Sequence, residues 1–254
     1  MKLTKEQRRS QIEQIVVEKQ RVTVNELSAI FDATRETIRN DLRMLSEQNR
    51  VTRYHGGATI AKSQEKEAAF SLKVNLNEFA KRAIAYEAAS FIHDGDTIYV
   101  DVGSTTVHLA DAVNAQNIKI ITNSLAAAHS FSRALERKQF SGEIICVGGI
   151  VNSAQQSLYG ALTMQILQQF HIHKAFISCG GMTKQYVYDF DIEEAVLSQK
   201  MVEISDASYL LIDQSKINKQ AFAKISRVSH FHKIISDGYC PWDEWQTIWH
   251  KVVY

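Results

Sequence analysis

Residues 34–45 read TRETIRNDLRML, and their spacing decides what the first part of the chain is. Ile38, Leu42 and Leu45 recur at i, i+4 and i+7, which puts three apolar side chains on one face of a helix. Thr34 precedes that helix and suits the N-cap, where its hydroxyl accepts a backbone N–H of the first turn. Position 37 is Thr, so no Ser/Thr-x-x-Glu capping box is expected here. With the stripe turned inward, Arg35, Glu36, Arg39, Asn40 and Arg43 fall on or beside the outer face. Arginine there suits nucleic acid, because its fork pairs with guanine edges or phosphate oxygens. The plain alternative is a solvated face paired with Glu36, Asp41 and Glu47, and the flanking sequence decides between them.

Immediately upstream, NELSAIFD carries Leu27, Ile30 and Phe31 on a second helix. Only Asp32 and Ala33 separate Phe31 from Thr34, so the two helices meet through a tight turn. Ile12, Ile15 and Val16 mark a first helix after Thr4. Downstream, RVTRYHGGATIA alternates and turns at Gly56 and Gly57, the pattern of a β-hairpin. Helix, helix, helix, hairpin is the order of a winged helix-turn-helix, here residues 1–60. In such a unit Arg35, Arg39, Asn40 and Arg43 face DNA. Thr34 and Thr37 present the helix N-terminus to a phosphate, and Arg53 and His55 on the wing reach the flanking backbone. Charge agrees without deciding: residues 1–60 hold 11 Lys+Arg against 8 Asp+Glu, and the remainder 18 against 20.

Residues 61–74 are polar and charged, as in a connector. From 75 to 254 the texture changes. β-rich runs appear at TIYV (97–100), IKIIT (118–122), IICV (144–147), AFIS (175–178), YLLI (209–212) and KIIS (233–236). Stretches of helical length such as SLAAAHSFSRALERK and IEEAVLSQKMVEISD lie between them. That alternation predicts a mostly parallel α/β sheet. Ligands bind such sheets outside the carboxyl ends of the strands, and the residues found there are DVGSTT, NSL, GGI, CGGM, DQSK and DGY. Small residues let a backbone approach an anion, while Asp101 and Asp213 suit sugar hydroxyls. Gly and Asp also end strands for reasons of turn geometry alone; the recurrence of such tips along one sheet edge is what points to a pocket.

Both halves resemble one family. The segment from Arg8 through Ile12 and Val16 to TRETIRNDL, followed by VTRYHGGA, closely resembles the N-terminal domain of DeoR-type bacterial transcriptional repressors. KRAIAYEAASFIHDGD, VDVGSTT, ITNS, VGG, DQSK and IISDG resemble its effector domain, so the likeness runs over most of the chain. It implies an α/β sensor domain related in fold to ribose-5-phosphate isomerase, with operator DNA and a sugar-phosphate effector as partners. Carried over residue by residue, it puts Asp101, Gly103, Ser104, Thr105, Thr106, Asn123, Gly148, Gly149 and Lys216 around the ligand. Lys81 matches a further family lysine. The chain departs from the pattern at Tyr186, where relatives often have Gly.

Other features of the chain bear on that reading. An aldose–ketose phosphate isomerase with an appendage needs a carboxylate base and a carbonyl-polarising group, for which Asp101, Asp213, Glu194 and Lys200 are the candidates. No local spacing ties them together, and a metabolic enzyme has little use for a winged helix; the expectation is a regulator, not an enzyme. His171 and His173 share one side of a strand but have no carboxylate or Cys nearby in sequence, so no metal site is expected. Trp242, Trp245 and Trp249 at i, i+3 and i+7 predict a terminal helix packed by its tryptophans. Glu193–Glu194 reads as favourable charge at a helix start. Cys146, Cys179 and Cys240, odd in number and far apart, read as reduced thiols. No signal-peptide pattern and no apolar run near the ~20 residues of a membrane span occur, which predicts a cytoplasmic protein without a membrane partner. No cofactor is implied. Two-fold operators would call for a homodimer or homotetramer.

Overall fold

The computed structural model describes residues 4–19, 21–48, 50–60 and 69–252. Two compact units make up the chain, Met1–Ala68 and Ala69–Tyr254.

In the first unit α1 (Lys5–Lys19), α2 (Val24–Phe31) and α3 (Arg35–Glu47) precede the hairpin of β2 (Val51–Tyr54) and β3 (Gly57–Ile60). Their apolar stripes meet in one core of Ile12, Val16, Leu27, Ile38, Leu42 and Leu45. Thr34 caps α3 by accepting the Thr37 N–H at 3.2 Å. The capping box absent from α3 is present at α2, where Thr23 and Glu26 bond each other's backbone N–H. Asp32, in the left-handed region at φ 45°, makes the tight turn into α3. A strand too short to announce itself, β1 (Arg21–Thr23), pairs with β3 and widens the wing to three strands. Gly57 is fixed by that pairing, since a Cβ there would lie 2.1 Å from the Val22 carbonyl oxygen. Asp41 does not pair along α3. It faces inward and takes Arg8 at 2.6 Å and Arg9 at 2.8 Å, pinning α1 to α3.

Of the connector expected at 61–74, residues 61–68 lie outside the described residues; 70–73 form α4 (Phe70–Lys73), with Phe70 buried. Helix α5 (Glu78–Ala89) follows. The strands β4 (Thr97–Val100), β5 (Ile118–Thr122), β6 (Gly142–Cys146), β9 (Ile172–Ile177), β12 (Ser205–Ile212), β14 (Lys233–Ser236) and β15 (Trp249–Lys251) build one sheet in the order β15-β14-β12-β9-β4-β5-β6. All its described pairings are parallel. Helices α6 (Leu109–Ala112) and α7 (Leu125–Glu136) join α5 over one face, and α8 (Ala161–Leu167) and α9 (Ile192–Ile204) cover the other. Alternate strand residues therefore enter different cores: Ile98 and Val100 pack on one side, Tyr99 on the other. Two small additions were not legible in the sequence: the hairpin of β7 (Ile150–Asn152) and β8 (Ser157–Tyr159), and a sheet of β10 (Gly181–Met182), β11 (Tyr186–Asp189) and β13 (Ala223–Arg227).

The predicted terminal helix is a correction. Residues 242–251 form a 3₁₀ turn at Asp243–Trp245 and then β15, which hydrogen-bonds along β14. Pairing the sheet edge outweighs a short helix, and the indoles find partners in that arrangement. Trp245 Nε1 donates to the Lys184 carbonyl at 2.8 Å and Trp249 Nε1 to that of Gly238 at 3.0 Å. No described helix is long and apolar enough to cross a membrane.

Candidate DNA-recognition face and ligand crevice

Burying Ile38, Leu42 and Leu45 turns Arg35, Arg39, Asn40 and Arg43 to solvent. Arg39 lies 3.6 Å from Glu36, both more than half exposed, a pair that holds neither strongly. Among the described residues Arg35, Arg43 and Arg53 have no acidic partner. Arg53 and His55 are exposed on the wing. The cations at positions 8, 9 and 50 are spent internally on Asp41 and Glu13, while those of α3 and the wing are left facing outward. Arg21, which the sequence reading passed over, adds another exposed cation and lies over the Tyr54 ring at 4.2 Å.

In the second unit strand order reverses at β4. From there the chain runs to β5 and β6 on one side, and β9, β12, β14 and β15 lie on the other. The crevice between the carboxyl ends of β4 and β9 is thus the topological switch point, where open α/β sheets take ligands. Residues 101–106 and 178–181 border it. Gly103 is required by close packing, because a Cβ would lie 2.4 Å from the Ser178 hydroxyl. Among the described residues the hydroxyls of Ser104 and Thr105 meet no hydrogen-bond partner, and the N–H groups of Gly103, Ser104, Thr105 and Thr106 reach no carbonyl. Thr106 turns its own hydroxyl back onto the Asp101 and Gly103 carbonyls at 2.8 and 3.1 Å.

Asp101 and Asn123 lie under this turn rather than in the open. Asp101 accepts from the Ser178 N–H at 3.2 Å, the Ser198 hydroxyl at 2.9 Å and the Tyr99 hydroxyl at 3.1 Å. Asn123 accepts from Tyr99 at 2.7 Å and donates to the Leu158 carbonyl at 3.0 Å. This network ties β4, β5, β9 and α9 into one support for the turn. Tyr99, Ser178 and Ser198 carry it, and sequence reasoning missed all three, because Ser198 stands 97 residues from its partner.

Burial pushes the Asp101 carboxyl up to about 6, against the hydrogen bonds from Ser198 and Ser178. A carboxyl raised on folding binds more protons in the native than in the unfolded chain, so it favours the native state at the acid end. Its contribution is complete below pH 4 and is lost as pH rises through about 6, a swing of about 3 kcal/mol. Urea titrations from pH 4 to 7 should show wild-type stability falling relative to Asp101→Asn by that order. A constant difference between the two proteins would mean the carboxyl is not buried as described.

Two lysines complete the crevice. Lys81 of α5 is buried and donates to the Lys73 carbonyl at the end of α4, and Lys216 donates to the Cys179 carbonyl. Burial lowers Lys81 to about 7, helped by the neighbouring Lys216 charge. Burial alone would raise the Asp213 carboxyl, but Lys216 and the bonds from Ser215 hold it below its ordinary value. The cluster thus sets two cations beside the Asp213 carboxylate, and burial makes the charge of one of them, Lys81, costly.

Other predicted residues have further partners. Gly148 and Gly149 follow β6, two strand spacings (about 10 Å) from β4 and four (about 19 Å) from β12. They serve packing there: Thr163 donates to the Gly148 carbonyl at 2.9 Å, and a Cβ on Gly149 would strike that hydroxyl. Tyr186 sits in the small sheet, with Lys224 Nζ 4.1 Å and the Arg227 guanidinium carbon 5.6 Å from its ring centre. Lys200 pairs with Glu203 on the surface at 3.5 Å. Glu194 is buried against the Ser157 hydroxyl at 2.8 Å, one turn before Ser198 on α9 and near enough to Tyr99 for its charge to raise that phenol's pKa. The β9–β12 pairing brings Asp206 within 3.2 Å of His171, a carboxylate the local sequence did not show. The group is largely exposed, and His173 Nδ1 already accepts the Thr97 N–H at 3.0 Å. A neutral imidazole has one lone pair, so this ring has none left for an ion.

Residues 8–64 match the family model described as the DeoR-like helix-turn-helix domain, and residues 76–238 match the DeoR C terminal sensor domain. Over 222 residues the chain is 31% identical to the L-fucose operon activator of Haemophilus influenzae, covering 87% of each protein. Over 237 residues it is 30% identical to the lactose phosphotransferase system repressor of Staphylococcus epidermidis, covering 93% of each. A solved D-ribose-5-phosphate isomerase in complex with phospho-erythronic acid aligns with 55% of this chain and 54% of its own, at a TM-score of 0.40 and 17% identity.

Proposed function

The chain belongs to the DeoR family of helix-turn-helix transcriptional regulators and is not an enzyme, and we propose that it represses sugar-metabolism genes until a phosphorylated sugar enters the β4/β9 crevice. The observation that carries this reading is the Lys81–Lys216 pair beside the unspent hydroxyls and N–H groups of residues 103–106. A phosphate ester adds negative charge beside the two lysines, accepts from Ser104, Thr105 and the turn backbone, and leaves its hydroxyls for Asp213. Asp101 and Asn123 act by holding that turn. Gly148 and Gly149 act at the far edge of the sheet, by packing. The names of the relatives, a fucose operon activator and a lactose system repressor, support carbohydrate as the theme.

On the DNA side α3 enters the major groove with Arg35, Arg39, Asn40 and Arg43, while Thr34, Thr37, Arg53 and His55 fix the register on phosphates. A homodimer or homotetramer sets two such helices about 34 Å apart along the duplex. The ligand signal leaves the crevice through Lys81, whose ammonium holds the Lys73 carbonyl at the end of α4, close in sequence to the boundary between the units. A phosphate beside Lys216 competes for that donor and loosens α4.

The test is a mobility shift with DNA from upstream of its own and neighbouring genes, with and without a panel of sugar phosphates. One ester should change operator affinity about 5–150-fold, a coupling of about 1–3 kcal/mol. Specific binding that no phosphate ester alters would remove the effector half of the reading.

A further inference from the structure

Next to the turn, past Thr106, lies a half-open groove of about 410 Å³ with a different lining. Phe70, Val74, Val107 and Leu125 make an apolar floor, and Arg82, His108, His129 and Ser130 surround it. Lys81 and Arg82 are consecutive on α5 and project about 100° apart, so one lysine serves the crevice and the arginine serves the groove.

His108 sets this groove apart from an ordinary surface dent. The residue is about nine-tenths buried and its Nε2 has no hydrogen-bond partner. Its Nδ1 lies 3.9 Å from Asp111, too far for a hydrogen bond. Native chains leave very few buried polar atoms unpaired, and a ligand is one of the standard reasons for an exception. Burial and the adjacent Arg82 charge keep the imidazole below its ordinary pKa, so it offers one donor and one acceptor position. Arg82 is held over the groove by Glu78 at 3.2 Å and Asp111 at 3.3 Å. The Ala126 N–H in the first turn of α7 donates to no acceptor among the described residues, and Ala126 lines the same wall.

We infer that this groove is a second ligand site, for a small metabolite with one anionic head and a compact apolar or ring-shaped body. The head, a phosphate or a carboxylate, lies between Arg82, His129 and the start of α7. The body covers Phe70 and Val74, and one uncharged polar group meets His108 Nε2. The volume suits a molecule of monosaccharide-phosphate size. Because Phe70 begins α4 and Val74 caps its end, an occupant here and an ester in the crevice act on the same short segment.

The full-length protein, labelled at histidine ring carbons, would be titrated with inorganic phosphate and separately with acetate while NMR follows the rings. Saturable shifts of both His108 and His129 are expected with one of these anions, and the stronger responder tells phosphate from carboxylate. His129→Ala, an exposed change that leaves the fold alone, should weaken that binding about tenfold, the loss of one charge-assisted contact. Lys216→Met, which disables the crevice, should leave it unchanged. No saturable shift with either anion overturns the second site. Shifts that vanish in Lys216→Met assign the anion to the crevice and overturn it equally. Failure of the crevice reading would show in the operator response to sugar phosphates, not in these ring signals.

Discussion

Replacing Arg39 by Ala should lower operator affinity by about 5–150-fold per half-site, the value of one good side-chain-to-base pair, and multiplicatively over two half-sites. The change is clean for physical reasons. Arg39 is exposed, its one acidic neighbour is the exposed Glu36 at 3.6 Å, and Ala is the best helix former, so α3 keeps its shape. Ile38 and Leu42, which carry the packing, are untouched. Salt dependence separates two kinds of contact. Loss of a base contact leaves the slope of log affinity against log salt as it was, whereas loss of a phosphate contact flattens it by about one. Arg8→Ala makes the contrast, since Arg8 is committed to Asp41 inside the unit and its loss should lower the melting temperature before it alters sequence preference. Anisotropy titrations from 50 to ~300 mM salt would measure all of this. Unchanged binding in both Arg39→Ala and Arg43→Ala would mean that α3 is not the reading helix.

Much of the first unit was legible because its periodicity is strong and its turns carry their own chemistry. Ile38, Leu42 and Leu45 announce α3, and Gly56 at φ 96° announces the hairpin. The third wing strand stayed hidden because three residues are too few to show alternation, though Thr23 and Glu26 mark the following helix plainly. In the second unit the central strands read as continuous apolar runs because both faces are covered. Three tryptophans at helical spacing misled because so short a run fits either period, and only the open edge of β14 decides it.

The crevice was legible as a place and not as a mechanism. Strand tips can be read from sequence, but which atoms they leave free depends on partners brought in from afar. Asp101 looks like a ligand carboxylate in the sequence, and the fold brings Ser198, Ser178 and Tyr99 to donate to it. Lys81 has no local pattern at all. Its importance comes from the fold setting it beside Lys216, and from burial that makes its charge costly. Asp101 is engaged in holding the site together, while Ser104 and Thr105, which the resemblance also puts around the ligand, are left with unused hydrogen-bonding capacity.

That difference predicts how the sensor half answers mutation and pH. Lys216→Met should weaken sugar-phosphate binding about 10–150-fold, the loss of a charge-assisted bond worth about 1.5–3 kcal/mol, while operator binding in the absence of ester stays as it was. Lys81 should add a pH signature. In the protein without ester its pKa is about 7, so the ammonium is half lost at neutral pH. A phosphate dianion alongside favours the charged form, so binding takes up a proton wherever Lys81 was neutral. Affinity should therefore be greatest near and below pH 7, where the ester is still a dianion, and fall by up to about tenfold per pH unit above it. Calorimetry at pH 7.5 in buffers of different ionisation heat would register the uptake directly. Lys81→Met should bind more weakly and lose both the pH slope and the proton uptake. Its operator binding should no longer respond to ester, even at ester concentrations that fill the site, because the donor that holds Lys73 is gone. A variant that keeps the full wild-type response once saturated would show that the signal reaches α4 by another route, and a flat pH profile in the wild type would take Lys81 out of the phosphate's reach.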